Sequence, residues 1–352
     1  MTMLITALTR AIRAVEMAPL PDRVTQLGVA LLVGRTSRKL AAQPSGEARF
    51  ARDMAHFAIA EHTDQANEQH YELPPEFFEL TLGPRRKYSC CLYRTGNETL
   101  AEAEVLALAE TAEHAGLADG QTILELGCGW GSLTLYMAAR YPRAQIVAVS
   151  NSAPQRRYIE AEAARAGLAN VKVITADMNT FSIDTRFDRI VSVEMFEHMA
   201  NWPALLTRLH GWLNDDGRLF LHVFAHRSQP YRFDSADRAD WIAQHFFTGG
   251  IMPSHGLIAR VADQFEVEQE WRWNGRHYQR TARDWLANFD TNRVRIDQIL
   301  REVYGADAGL WGRRWRLFYL ATAGLFGYAA GEEWAVSHYR LRRIAPTRIA
   351  SV

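Results

Sequence analysis

Cysteine is scarce in this chain, with three in 352 residues. Cys90 and Cys91 are adjacent, and Cys128 stands alone in a glycine-rich loop. No disulfide framework is implied, and a reducing cytoplasm is the expected compartment. Excess charge is missing as well. Lys+Arg and Asp+Glu number 40 each. A neutral balance argues against a nucleic-acid partner, because neutralising phosphates needs a basic surface. No apolar run reaches the ~18–20 residues of a membrane span, so no stable membrane insertion is expected. A signal peptide is not expected either. Arg10, Arg13 and Glu16 interrupt the N-terminal stretch, and no small-residue cleavage site follows an apolar core. Internal repeats and low-complexity tracts are absent. What remains is an ordinary globular composition, 48% hydrophobic and 23% charged. The length suits one large domain with additions, or two domains.

The chain divides by pattern. Residues 1–65 read as an Ala/Arg-rich helical extension with a polar break at Gln43-Pro-Ser-Gly46. Leu4, Leu8, Ile12 and Val15 recur at helical spacing and predict an amphipathic helix packed on the main domain. Thr99 to Ala115 reads as a helix ending near Gly116. Strand-helix alternation follows. Strands are expected at Ile123–Leu126, Gln145–Ser150, Val171–Thr175, Phe187–Val193 and Arg218–Phe224, with helices between them. Alternation at this spacing gives a doubly wound parallel sheet. Beyond residue 225 the pattern changes to an aromatic-rich insertion running to about 335. It contains a strand at Glu266–Trp273 and helices at Thr281–Tyr304 and Arg314–Gly327. Residues 66–352 thus form the main domain, and the insertion covers its sheet.

The stretch Ile123-Leu-Glu-Leu-Gly-Cys-Gly-Trp-Gly131 carries the strongest local signal. A buried strand, three glycines and a helix make a nucleotide-binding corner. Glycine lets the backbone turn sharply and lets a ligand lie against bare main chain. Ligands of open α/β sheets sit beyond the carboxyl ends of the strands. Ser150-Asn151, Asp177-Met178 and Glu194-Met-Phe-Glu-His198 all fall at such ends.

Read in order, Y-S-C (88–90), E-L-G-C-G-W-G (125–131), V-S-N-S-x-x-Q (149–155), A-D-M (176–178), E-M-F-E-H-M (194–199) and R-T-x-x-x-W (280–285) make a series. This series resembles the cyclopropane-fatty-acid synthase superfamily of methyltransferases. Within it, the chain is most similar to the coclaurine N-methyltransferase group. The resemblance spans roughly residues 65–343. It implies a class I methyltransferase fold: a Rossmann-like, doubly wound α/β sheet with an N-terminal helical extension and helical, aromatic cover insertions. The implied cofactor is S-adenosyl-L-methionine and the implied partner is a small aromatic or alkaloid-like amine. A homodimer is left open. The synthases carry a small residue where this chain has Glu194. They also use a strand-five histidine in a bicarbonate site, a position that aligns here with Val223, one residue from His222. Cys90, Glu197 and Tyr278 match other members of that site. A lipid-modifying synthase therefore stands as the alternative.

The resemblance assigns roles along the chain. Glu125, Gly127 and Gly129 surround the amino-acid portion of the cofactor, and Tyr88 and Ser89 close over its methionine end. Ser150 and Asn151 meet the ribose hydroxyls, with Gln155 beside them. Asp177 accepts from the adenine amino group and Met178 packs on the ring. A helix N-cap is the alternative for Asp177. Glu194, Glu197 and His198 are the catalytic candidates, and if the segment is helical they share one face. An amine substrate is an ammonium at neutral pH, so carboxylates orient the cation and a histidine takes its proton. Two carboxylates and a histidine can bind a metal, but this spacing is not that of a helical zinc site, and no metal is expected. Tyr71, Phe247, Tyr278, Tyr328, Glu333 and Trp334 are the substrate candidates, suited to a flat or cationic aromatic ligand.

Overall fold

The computed structural model describes residues 16, 18, 20–42, 46–61, 73–236 and 240–344. The helix expected at Leu4 to Val15, and Tyr71, lie outside them. Seven strands make the main sheet: β1 (Thr122–Leu126), β2 (Gln145–Ser150), β3 (Val171–Thr175), β4 (Phe187–Val193), β5 (Leu213–His226), β6 (Phe265–Trp273) and β7 (Trp334–Arg343). Their spatial order is β3-β2-β1-β4-β5-β7-β6. The first five are parallel, and β7 runs antiparallel between β5 and β6. The order reverses between β1 and β4, which is where such a sheet opens a crevice.

Helices α1 (Asp22–Ala41), α2 (Gly46–Asp53) and α3 (Pro75–Thr81) precede the sheet, followed by α4 (Leu100–His114). A capping box starts α4: Thr99 accepts from the Glu102 amide, and Glu102 accepts from the Thr99 amide in return. Crossover helices α5 (Ser132–Arg140), α6 (Ala153–Arg165) and α7 (Trp202–Trp212) alternate with the strands. Short helices α8 (Trp241–His245) and α9 (Ile258–Val261) lead to β6. Then α10 (Arg276–Thr291), α11 (Arg293–Tyr304) and α12 (Ala308–Gly327) form the cover.

Two large cores follow from this layering. One joins Leu124, Val149 and Ile190 of the sheet to Trp202 and Leu205 of α7. It also takes in Met54, Ile59 and Ala60 of the N-terminal extension. The other is aromatic: Phe77, Trp130, Trp285, Trp315 and Trp334 knit α1, α3 and the cover to the sheet edge. Each such ring contributes about 1.5–3 kcal/mol when fully buried.

The structure departs from the sequence reading in four elements. The expected Thr281–Tyr304 helix breaks at Asn292 into α10 and α11. Strand five begins five residues before Arg218 and ends two after Phe224, and the C-terminal strand β7 is additional. The Glu194–His198 segment forms only one 3-10 turn, Phe196–His198, and Glu194 is left-handed at φ 49°. A shared α-helical face therefore does not bring the three candidates together.

Candidate active site

The glycine loop is built from backbone first. The Gly127 and Cys128 amides both donate to the Val149 carbonyl, at 2.9 and 3.0 Å. Gly127, Gly129 and Gly131 have φ of 77°, 52° and 78°. A Cβ on Gly127 would sit 2.5 Å from the Met195 Cβ, whereas one on Gly129 would meet nothing within 4 Å. Gly127 thus permits close packing, and Gly129 borders open space that a ligand can fill.

That space is a crevice open to solvent, concave as small-ligand sites are. Gly127, Gly129, Ser150, Asn151, Gln155, Asp177, Met178, Glu194 and His198 all line it. A neighbouring pocket is lined by Tyr88, Ser89, Glu125 and the same glycines, Gly127 and Gly129. Buried polar atoms with no hydrogen bond among the described residues converge here: Thr111 Oγ1, Trp130 Nε1, Ser132 Oγ and Gln155 Nε2. Such atoms imply a polar ligand. Gln155 is buried, its Oε1 accepting from Ser150 Oγ at 2.6 Å. Asp177 Oδ1 accepts from the Asn179 amide at 2.6 Å, so its capping role holds a turn while it faces the crevice. Glu125 is buried and accepts from Thr134 Oγ1 at 2.5 Å. Burial lifts its pKa to about 8, so it is a neutral acid at neutral pH.

The Glu194 carboxylate is held from two sides. Oε1 accepts from the Cys90 amide at 2.9 Å and lies 3.2 Å from His222 Nε2. Oε2 accepts from the Tyr278 hydroxyl at 2.6 Å. Burial raises the Glu194 pKa above its usual value, opposed by the Lys87 ammonium, the Cys90 amide and the Tyr278 hydroxyl. Glu197 is wholly buried. Its Oε1 accepts from the Phe224 amide at 2.6 Å, and its Oε2 has no hydrogen bond among the described residues. Burial and the nearby Glu194 charge push its pKa well up. The sequence reading takes Glu197 as an orienting anion; the structure makes it a neutral acid. His198 stacks on Phe247, ring centroids 4.7 Å apart. Burial pulls its pKa down to about 4, so it is neutral at pH 7. No group of three or more metal-type side chains is arranged for a metal among the described residues.

A family model described as mycolic acid cyclopropane synthetase matches residues 60–326. The chain belongs to that family. Among curated members, the (S)-coclaurine N-methyltransferase of Thalictrum flavum subsp. glaucum is 36% identical over 290 residues, covering 81% of this chain and 80% of that one. The cyclopropane-fatty-acyl-phospholipid synthase of Escherichia coli K12 is 30% identical over 224 residues, 63% of this chain and 56% of that one. The crystal structure of coclaurine N-methyltransferase bound to N-methylheliamine and S-adenosylhomocysteine matches with a TM-score of 0.92 at 32% identity. It covers 96% of this chain and 100% of that one. The fold is that of the class I methyltransferases.

Within this family fold, the substrate candidates are dispersed. Tyr278 and Phe247 touch the catalytic candidates directly. Trp334 is fully buried, its indole N–H donating to Tyr231 at 3.2 Å, and Tyr328 packs on its edge. Glu333 is committed to His226 at 3.1 Å, to Arg227 at 3.4 Å and to the Ser37 hydroxyl at 3.0 Å. Neither Glu333 nor Trp334 is among the residues bordering the crevice. His222, not Val223, faces Glu194, because Val223 packs into the opposite core. Sequence reading passed over Ala60, Glu61, Met195 and Thr248 on the crevice wall. Only a contact across the chain reveals Ala60: its amide is tied to Asn179 Oδ1 at 3.0 Å.

Proposed function

We propose that this chain is an S-adenosylmethionine-dependent N-methyltransferase acting on a small aromatic amine. One observation carries the reading. A carboxylate, Glu194, is fixed by two donors and a histidine on the wall of a nucleotide-type crevice, beside a neutral histidine. The named relatives above are supporting context.

When bound, S-adenosylmethionine supplies an electrophilic methyl group on a sulfonium. Gly127 and Gly129 would accommodate its amino-acid portion. Thr111, Trp130 and Ser132 would add donors there, and Tyr88 and Ser89 would close over the methionine end. Ser150, Asn151 and Gln155 would meet the ribose hydroxyls, and Asp177 and Met178 the adenine. The Thr111, Trp130, Ser132 and Gln155 polar atoms that have no hydrogen bond among the described residues fit a ligand of that polarity.

The amine arrives as an ammonium, and the Glu194 carboxylate attracts and orients it. His198, neutral at pH 7, accepts the proton and frees the nitrogen lone pair. Glu197, protonated and buried, accepts from the Phe224 amide of β5 and so braces that strand rather than attracting the cation. The rings of Phe247 and Tyr278 border the amine through stacking and cation-π contact.

The test is incubation with methyl-labelled cofactor, a panel of aromatic secondary amines, and phospholipid vesicles. Label is expected in an amine. Label in vesicle lipid and in no amine would overturn the reading in favour of a lipid-modifying synthase. In the same assay His198→Ala is expected to lower kcat by about 10²–10⁴-fold, with partial recovery at high pH as free amine becomes available. Near-wild-type turnover at neutral pH would move the base to another group.

A further inference from the structure

Behind Glu194 the protein carries three more buried histidines in series. His222 Nδ1 lies 2.9 Å from His338 Nε2, and His338 Nδ1 lies 2.8 Å from His114 Nδ1. His114 Nε2 lies 3.8 Å from Glu110 Oε1. The strands produce this alignment. His222 on β5 pairs in register with His338 on β7, which pairs with Trp271 on β6. His114, at the end of α4, stacks on Trp271 with centroids 3.9 Å apart. Exposure rises outward, from 0% at His222 and His338 to 8% at His114. Glu110, paired with Arg94, is at the surface end with 19% of its side chain exposed. Each link uses a different ring nitrogen, so the rings share protons end to end and no three nitrogens converge on a metal.

We propose that His222, His338 and His114 form a proton outlet that carries the amine's proton from Glu194 to the protein surface at Glu110. The proposal rests on the N-methyltransferase reading. In that reaction the ammonium N–H bond breaks, its electron pair stays on nitrogen, and one proton is left per methyl group transferred. The proton taken by His198 passes to Glu194, which borders the same crevice and acts on it electrostatically. Burial lowers the pKa of His198 and raises that of Glu194, which favours the transfer. Protonated Glu194 gives its proton to His222 Nε2, and His222 releases its own from Nδ1 to His338 Nε2. His338 passes one from Nδ1 to His114 Nδ1, and His114 releases one from Nε2 to Glu110 or water. One charge moves outward and each ring inverts its tautomer. With the crevice open after product leaves, the chain inverts back and Glu194 sheds the returning proton to solvent. The cycle then closes with no ring rotation.

Burial supports a conducting role. Three imidazoles between Phe220, Trp271 and Trp273 are a costly filling for a core that apolar side chains could occupy. The charged or titratable groups that act on them are Glu194 and Lys87 at the inner end, and Glu110, Glu113, Arg94 and Arg340 at the outer end. All three histidines are held below their usual pKa by burial, so they rest neutral and can pass a proton without storing one.

The test uses the full chain with His338→Gln and His114→Gln. Glutamine keeps hydrogen bonds but does not pass a proton through itself. Single turnovers in weak buffer are followed by S-adenosylhomocysteine formation and by a pH-indicator dye. The wild type releases one proton in step with methyl transfer. Both variants are expected to slow about 10-fold or more near neutral pH, with recovery at high pH, and added imidazole is expected to rescue His114→Gln. Variants that keep wild-type rates and proton release between pH 6 and 8 would overturn the outlet. So would a rate loss that neither pH nor imidazole changes, since that is a packing effect. If His338→Gln does not fold, His114→Gln, at the surface end, decides alone. Label in vesicle lipid and in no amine would instead defeat the amine reading.

Discussion

Replacing Glu194 with glycine is the perturbation that best isolates the carboxylate. The residue sits at φ 49°, a region that costs a non-glycine side chain about 1–2 kcal/mol, and glycine removes that strain. The substitution also deletes the acceptor for the Cys90 amide and the Tyr278 hydroxyl, and the group that faces His222 Nε2. Two hydrogen bonds to a charged group are worth roughly 3–6 kcal/mol gross, taking about 1.5–3 each, and water entering the hole returns part of it. Glu194→Gly is therefore expected to fold with reduced stability and to lose most of its turnover. The hole it leaves has the shape and donors of a small carboxylate. Formate or bicarbonate should bind there. A ligand at 100 times its Kd returns about 2.7 kcal/mol, enough to raise Tm by several degrees. The assay is thermal denaturation and amine methylation with formate, bicarbonate or chloride at matched ionic strength. Wild type, whose own carboxylate fills the position, should be indifferent to bicarbonate even in carbonate-free buffer. The reasoning is refuted if neither Tm nor activity of Glu194→Gly responds to either carboxylate, or if wild type needs bicarbonate.

Two further predictions use the same crevice. Gly127→Ala puts a Cβ against Met195 in a left-handed position, so it should cost about 2–4 kcal/mol by overpacking and strain. Gly129→Ala meets nothing, so its Tm should fall less while cofactor affinity drops roughly tenfold or more. Calorimetric titration and melting curves of the pair check this, and equal losses in both would defeat it. Glu125→Gln tests the buried acid. The unfolded chain ionises above about 4.5, whereas the folded one holds its proton to about 8. The folded state binds more protons across that window, so wild-type stability should fall as pH rises through it. The variant should remove that slope, changing the wild-type-to-variant stability difference by up to about 4 kcal/mol between pH 5 and pH 8. A pH-independent difference would place Glu125 as an ordinary ionised carboxylate.

The parallel half of the sheet was legible because each strand is a short apolar run punctuated by glycine or a turn, and the crevice follows from where those runs end. Ser150, Asp177, Gly129 and Glu194 were found by that rule and do line the crevice. The geometry within Glu194–His198 was not legible. A left-handed glutamate is set by the Cys90, His222 and Tyr278 contacts, from residues up to 104 positions away, and nothing local announces it. Glu333 and Trp334 looked like ligand groups by type, but burial and the partners His226 and Tyr231 claim them.

Strand parity decided the rest. In a strand, successive side chains point to opposite faces, so an error of one residue moves a group from the site to the far core. Placing the strand-five position at Val223 put an apolar residue where His222 stands, and so hid the inner end of the histidine series. Its middle was hidden for a different reason. Trp334–Arg343 is a strand buried over most of its length. Its alternation is masked because both faces are covered, as in any interior strand. His338 was therefore never placed on a sheet, and His114 read only as the tail of a helix. Three histidines separated by 108 and 116 positions become one chain of hydrogen bonds only when β7 is inserted between β5 and β6. Their common function, if the proton-release experiment bears it out, belongs to that insertion. Any substitution that displaces β7 by one register step should uncouple Glu194 from the surface while leaving the glycine loop intact.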